Sequence, residues 1–493
     1  MDKIRLGVRW NPRTGRAGRR VSYNLRSHFT MIGPSSVGKG VCLELPNLLL
    51  GLRRCAVVSI DPSGQNAAVC AEARRRFGHT VLPLNPFNLH VADYPDLQDI
   101  GFNPLVAIDP ASPHFFMDAA SLADALITVE GDHQRHFPES ARGLLTWLIM
   151  FVRLHDGIDA NLGTVRDLLT GDLSSAAQAA VATGHPRIIN LAGQYVGELS
   201  RELQSVVSTA RTQTRWLSDD IMRASLARNG VDFASLKDRP CKSVFLILPA
   251  GIELEFHGTW LRVVINCALN ALYRRGTAGG VPVVFMLSEF AQLGRLPSIL
   301  AAFGQARKYG IRLWTVLQNI GQIREIYGPH GAETFVANSG CVLSYTAADP
   351  GTAEFASLFS GEQAALTMHV SNNPQGGPPN VSYGVQTERV WTPGQIRELP
   401  EFHGLVWKFG QSKPQPVYLP PYYEMAACRR RMRADPYFLG SRGGLGWPLR
   451  FVARALVPAA LVAVAFGGAV LLRSGPFGLP DLLRDLPAAL RPW

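Results

Sequence analysis

Cysteine is sparse in this chain and poorly arranged for chemistry. Cys42, Cys55, Cys70, Cys241, Cys267, Cys341 and Cys428 are odd in number and scattered over 493 residues, with no CxxC pair and no Cys/His cluster. This excludes a disulfide scaffold and a zinc ribbon, and it predicts reduced thiols in a cytosolic compartment. No low-complexity tract and no internal repeat is present, which excludes a repeat array. The opening residues, "MDKIRLGVRWNPRTGRAGRR", are basic but lack the apolar run of a secretory leader, so no signal peptide is predicted. Long apolar runs are equally scarce. One stands out, "ALVPAALVAVAFGGAVLL" from Ala455 to Leu472, 18 residues without a charge. At about 1.5 Å per residue it spans roughly 27 Å, the thickness of a bilayer core. Seven arginines precede it (Arg429, Arg430, Arg431, Arg433, Arg442, Arg450 and Arg454) and three follow. The positive-inside tendency then leaves the bulk of the chain in the cytoplasm.

Acidic charge is also in deficit, but only at the ends. Of the net +11, residues 1–30 carry +7 and residues 424–493 carry +6, leaving −2 for the long middle. The basic ends read either as solvated or membrane-facing arms or as segments that touch DNA. What remains is ordinary globular composition, 47% hydrophobic and 18% charged, enough for two or three domains with a large core.

Strand-like runs ("CAVVSIDPSGQN", "HTVLPLNPF") alternate with helical stretches near the start, as in a parallel, doubly wound α/β sheet. Between about residues 113 and 229 only helical periodicity is found, in "MDAASLADALITVE", "PESARGLLTWLIMFVRLH" and "SRELQSVVSTARTQTRWL". Strand signals resume with "KSVFLILP", "VPVVFMLSEF", "IRLWTVLQN" and "CVLSYTA". The predicted organisation is an arm and first sheet block at 1–112, an inserted all-α domain at 113–235, and a second sheet block at 236–425. A basic linker at 426–454, a hydrophobic helix at 455–472 and a short tail at 473–493 follow.

"MIGPSSVGKGVCLELPNLLL" contains GxxxxGK between an apolar strand and a helix, the setting of a phosphate-binding loop. Its glycines let backbone N–H groups approach phosphate oxygens, and Lys39 reaches the β- and γ-phosphates. The loop residues are Gly33, Pro34, Ser35, Ser36, Val37, Gly38, Lys39, Gly40 and Val41. Gly40 occupies the place of the Ser or Thr whose hydroxyl helps hold magnesium. The strand "VPVVFMLSEF" ends in Ser288-Glu289 without the usual Asp before the Glu. Glu289 alone can still act as a general base toward water, or else cap the helix in "FAQLGRLPSIL".

These residues resemble the type IV coupling proteins, the TraG/TraD class of conjugation and secretion ATPases. The resemblance runs from about residue 20 to 425 and rests on ordered motifs. They include "GPSSVGKGV...LPNLL", "VVSIDPSGQN", "LNPF", "ESARGLLTWLI", "SEFAQLGRLP", "ARKYGIRLWTVLQN", "IYGPHGAETFVANS", "DPGTAEFASLFSGE", "RVWTPGQIRELP" and "PPYYE". It implies a RecA/FtsK-like P-loop domain interrupted by an all-α domain, with ATP and Mg2+ as cofactors and a hexameric ring. It also implies Glu289 as catalytic glutamate, Arg307 as an arginine completing a neighbouring subunit's site, and Gln318 as a sensor. Partners would be single-stranded DNA with its relaxase, or protein substrates, together with secretion-channel components at the bacterial inner membrane. The chain departs from the family pattern at Gly40 and Ser288, which weakens the metal-linked positions. Ser288 itself and Asp61 are the nearest metal-linked candidates. Two alternatives remain, a nucleotide-binding docking platform that does not hydrolyse and an FtsK-like DNA translocase. The hydrophobic segment departs as well, because the class usually enters the membrane through its N-terminus.

Overall fold

The computed structural model describes residues 2–128, 136–277, 279–371, 380–411 and 413–438. The hydrophobic segment 455–472 and most of its linker lie outside the described residues. Among the described residues no helix is long and apolar enough to cross a membrane. Residues Met1–Arg433 form one compact unit, within which the sheet and the helical segment share a core.

The strands are β1 (Lys3–Trp10), β2 (Ala17–Asn24), β3 (His28–Ile32), β4 (Ala56–Ile60), β5 (Thr80–Leu84), β6 (Lys242–Leu246) and β7 (Val283–Leu287). There follow β8 (Ile311–Leu317), β9 (Ser339–Tyr345), β10 (Glu362–Ser371), β11 (Asn380–Arg389), β12 (His403–Lys408) and β13 (Gln415–Tyr418). Eleven of them build one mixed sheet in the order β2-β1-β13-β12-β9-β3-β8-β7-β4-β6-β5. From β9 to β5 every neighbouring pair is parallel. Every residue of β3, β4, β7 and β8 is buried, which is why these strands read as continuous apolar runs: helices cover both faces of a parallel sheet. Three of the hydroxyls inside this core pair across strands. Thr30 Oγ1 lies 2.9 Å from Thr315 Oγ1 and 2.7 Å from Ser339 Oγ.

The first 24 residues are not an arm. β1 pairs antiparallel with β13 (Val8 opposite Tyr418) and with β2, so the N-terminus closes the antiparallel end of the sheet. Ile4, Leu6 and Val21 supply the inward side chains that anchor it. Composition misled here because β2 is an edge strand. Exposed Arg19 and Arg20 give it a charge that discourages further edge pairing.

Between β5 and β6 the described residues form helices and no strand, from Phe115–Leu126 through Asp220–Leu226. Side-chain caps start several of them: Asn161 accepts from Thr164 N–H, Asp172 from Ser175 N–H, Ser200 from Leu203 N–H and Asp219 from Met222 N–H. Buried Arg262, on helix Ile252–Arg274, joins this segment to the sheet. It donates to the carbonyls of Ala125 (3.1 Å) and Leu293 (2.7 Å).

Candidate active site

The phosphate loop leaves β3 at Gly33, whose N–H donates to Leu317 O of β8 at 3.0 Å. Gly38 must be glycine on two grounds. Its φ is +88°, and an added Cβ would sit 2.8 Å from both Cys42 Sγ and Phe402 Cδ1. Gly40 is different: an added Cβ there meets no heavy atom within 4 Å, so space is not what excludes a side chain. The helix after the loop opens with a π-helical turn, Lys39–Glu44, and continues as an α-helix, Leu45–Leu50. Lys39 is half-buried, and its ammonium donates to Gly33 O (2.6 Å) and Pro34 O (3.1 Å). Burial lowers its pKa, while the nearby charges of Glu289 and Glu44 raise it.

One strand, β8, separates the loop strand β3 from β7, so the ends of β3, β8 and β7 lie side by side. Beyond β7, Glu289 sits in the left-handed region (φ 53°, ψ 42°), a conformation a non-glycine residue adopts at a cost of about 1–3 kcal/mol and often at functional sites. It stands at the N-cap of the turn Phe290–Leu293, but its side chain makes no capping hydrogen bond. Its Oε2 instead accepts from Gln318 Nε2 at 3.0 Å. Lys39, Glu289 and Gln318 therefore converge on one end of the sheet.

Ser288 Oγ donates to Glu44 Oε2 at 2.8 Å, and Asn66 Nδ2 donates to the same oxygen at 3.0 Å. Glu44 and Asn66 took no part in the sequence-based site. The available signal was a lone carboxylate within the apolar run "VCLELPNLLL". Burial pushes the Glu44 carboxyl above its ordinary range, opposed by the Asn66 and Ser288 hydrogen bonds and by Lys39. Asp61 is buried as well, and its Oδ2 accepts from Ala67 N–H at 2.8 Å, closing the start of helix Gln65–Arg76. Burial raises its carboxyl to about 7. Arg307 is not drawn into this cluster. It lies exposed on the turn Ala306–Tyr309, and among the described residues its side chain makes no hydrogen bond or ion pair. A cleft of about 460 Å³ opens beside Pro34, lined by Thr346, Ala347, Ala348, Gly394, Arg397 and Glu398.

Among the described residues no group of three His, Cys, Asp or Glu side chains could hold a metal alone. The oxygens present, the Glu44 carboxylate and the Ser288 hydroxyl, fit a hard cation that arrives on phosphates and keeps several waters.

The loop and the strand order define a RecA-type P-loop protein. The chain belongs to the family described as Type IV secretory system Conjugative DNA transfer, whose model matches residues 6–434. It is 28% identical over 348 residues to the conjugal transfer protein TraG of Rhizobium radiobacter, covering 68% of this chain and 52% of that protein. It is 24% identical over 414 residues to the protein VirD4 of Rhizobium rhizogenes, covering 82% and 59%. The chain thus spans little more than half the length of these curated relatives. Among solved structures, the unbound bacterial conjugative coupling protein TrwBdeltaN70 superposes with a TM-score of 0.62 at 19% identity, covering 80% of this chain and 85% of that one. The plasmid coupling protein TrwB in complex with ADP and Mg2+ gives a TM-score of 0.61 at 18% identity, with the same coverage. These likenesses establish the fold.

Proposed function

We propose that this chain is the ATP-driven coupling protein of a type IV secretion channel at the bacterial inner membrane. It would receive a DNA–relaxase complex or protein substrates and feed them outward. The observation that carries the reading is the convergence of Lys39, Glu289 and Gln318 at the ends of adjacent parallel strands, in a chain of the conjugative DNA transfer family.

The amides of residues 33–41 and the Lys39 ammonium would hold the phosphates at the start of the helix. The nucleoside would extend toward the cleft beside Pro34. Glu289, aimed by its left-handed backbone and held by Gln318, would take the proton of the attacking water. As the new P–O bond forms, the bond from the γ-phosphorus to the bridging oxygen breaks and the charge leaves on the diphosphate. Magnesium would supply charge neutralisation across the phosphate oxygens. Arg307, exposed and unpaired among the described residues, suits a neighbouring subunit's nucleotide in a hexameric ring. The segment 113–235 would form an all-α domain meeting substrate. Residues 426–454 would link the ATPase to a membrane helix at 455–472 followed by the tail 473–493. Deleting residues 451–493 should release the protein from the membrane fraction. A truncated chain that stays in membranes after a high-salt wash would sink that part.

The test is DNA-stimulated phosphate release by the purified chain, expected in wild type and lost in Glu289→Gln. A non-hydrolysing docking platform is the second reading, favoured by Gly40 and Ser288, which remove both usual protein oxygens from the metal-linked positions. Tight ADP binding with no phosphate release, with or without DNA, would select it.

A further inference from the structure

The two departures at Gly40 and Ser288 meet a third residue. We infer that Glu44 supplies the metal-linked carboxylate of the nucleotide site, moved from the end of β7 to the first turn of the helix after the phosphate loop. The inference rests on the nucleotide-binding reading above and names one more residue for that site.

Residues 39–44 form a π-helical turn, in which Leu45 N–H bonds back to Gly40 O, five residues earlier. That wider turn brings position 44 back above position 40, and single π turns inside helices are often found at functional sites. Gly40 leaves its side of the helix open, since no heavy atom lies within 4 Å of the Cβ it lacks. Across the gap, Ser288 turns its hydroxyl toward the same helix and donates to Glu44 Oε2 at 2.8 Å. The shorter serine, in place of an aspartate, gives the Glu44 carboxylate room beside the end of β7. Asn66 gives Oε2 its second donor. Every hydrogen bond of the Glu44 carboxylate among the described residues falls on Oε2, which leaves Oε1 for another ligand.

The two donors use one oxygen of a carboxylate set among apolar neighbours. Glu44 is flanked by buried Leu43 and Leu45 and is itself 4% exposed. No ion pair within the salt-bridge distance holds it among the described residues. Two neutral donors and a Lys39 charge beyond salt-bridge distance offset the burial of this carboxylate only in part, and a cation at its free oxygen would complete it. Asp61 is the other buried acid nearby, but its carboxylate is spent on the N-terminus of helix Gln65–Arg76.

The test uses the full chain, ADP and Mn2+ as a paramagnetic stand-in for Mg2+. Metal-free ADP affinity is read from a fluorescent ADP analogue, and Mn2+ affinity for the protein–ADP complex from electron paramagnetic resonance. Glu44→Gln keeps the size of the side chain and an oxygen for Ser288 and Asn66. It should leave metal-free ADP affinity within about threefold and weaken Mn2+ binding by about tenfold or more. Adding Ser288→Asp to Glu44→Gln returns a carboxylate from the β7 side and should recover most of that loss. If Glu44→Gln does not fold, Glu44→Asp keeps the charge but withdraws it by one methylene, and the same weakening is expected. Mn2+ affinity indifferent to residue 44 in whichever variant folds would overturn the inference while leaving the nucleotide reading intact. A wild-type chain that binds no ADP, with or without Mn2+, would overturn both.

Discussion

The ends of β3, β7 and β8 and the β10–β11 hairpin are opposite solutions to where polar and apolar atoms go. At the strand ends, buried and half-buried polar groups find partners: Ser288 and Asn66 on Glu44, Gln318 on Glu289, Lys39 on the loop carbonyls. In the hairpin, alternation places Leu366, Met368 and Val370 opposite Val385, Tyr383 and Val381 on one face, and all six are exposed. The first region is held by the whole sheet. The second is a two-stranded ribbon whose apolar face nothing in this chain covers among the described residues. Rigidity and chemistry therefore belong to one region, while the other contributes little to holding the fold.

Substitutions can break this contrast in several places. The largest effect is expected from Glu289→Gln, which should lower turnover by about 10²–10⁴-fold while ADP affinity stays near wild type. Parallel loss of binding would mean that Glu289 supports the loop rather than the reaction. Leu287→Ala, at a fully buried position of β7, should cost about 2–5 kcal/mol in urea unfolding. Lys39→Ala should weaken ADP binding by about 1.5–3 kcal/mol, the range of a charge-assisted hydrogen bond. Unchanged affinity in a titration would remove the lysine from the phosphate site. At the other extreme, Leu366→Ser in the hairpin, where the side chain is 75% exposed, should change unfolding free energy by no more than about 0.5 kcal/mol. A loss as large as that of Leu287→Ala would show that the hairpin face is covered in solution.

Acid should separate the regions as well. Burial holds His28 and His79 down at about 4. Both are neutral when folded and take up protons on unfolding below their ordinary 6.5. The stability they contribute is therefore present above pH 6.5 and lost as pH falls toward 4. Each ring loses about 1.4 kcal/mol for every pH unit between its unfolded and folded values. Asp61, raised to about 7 from 3.8, has the opposite sign, binding its proton in the folded state across that window. Burial also pushes the Glu44 and Asp124 carboxyls up, with the sign of Asp61, and the His257 ring down, with the sign of the other rings. Because these groups oppose one another, the prediction is a difference: on going from pH 7 to 4.5 the urea midpoint of His79→Asn should fall less, or rise more, than that of wild type. The same pH dependence in both proteins would remove His79 from the account.

Much of the sheet was legible in the sequence. β4, β6, β7 and β8 fall within the apolar runs quoted for them, and β9 starts two residues before its run, because a strand buried on both faces needs no alternation to be seen. β1 and β2 were not legible. Their buried side chains are Ile4, Leu6 and Val21, with Trp10 and Tyr23 packed partly against the core, and the surrounding arginines outweigh so thin a pattern. The phosphate loop, Glu289 and Gln318 were legible as types at positions, since a strand end followed by a polar residue is a local signal. Arg307 was legible as a residue, but a single chain brings no second site to it.

Glu44 marks the boundary between the two kinds of information. The amino-acid order by itself determined the glycine loop, its lysine, the strands that end at Ser288-Glu289 and Gln318, and the helical stretch between the sheet blocks. Each of these depends on neighbours a few residues away. Only the tertiary structure decided that Glu44 faces Ser288, 244 residues later, and that the basic N-terminus pairs with β13. Sheet order brings such groups together. It is settled by burying every strand face at once, a condition on the whole chain that periodicity in any one segment does not contain.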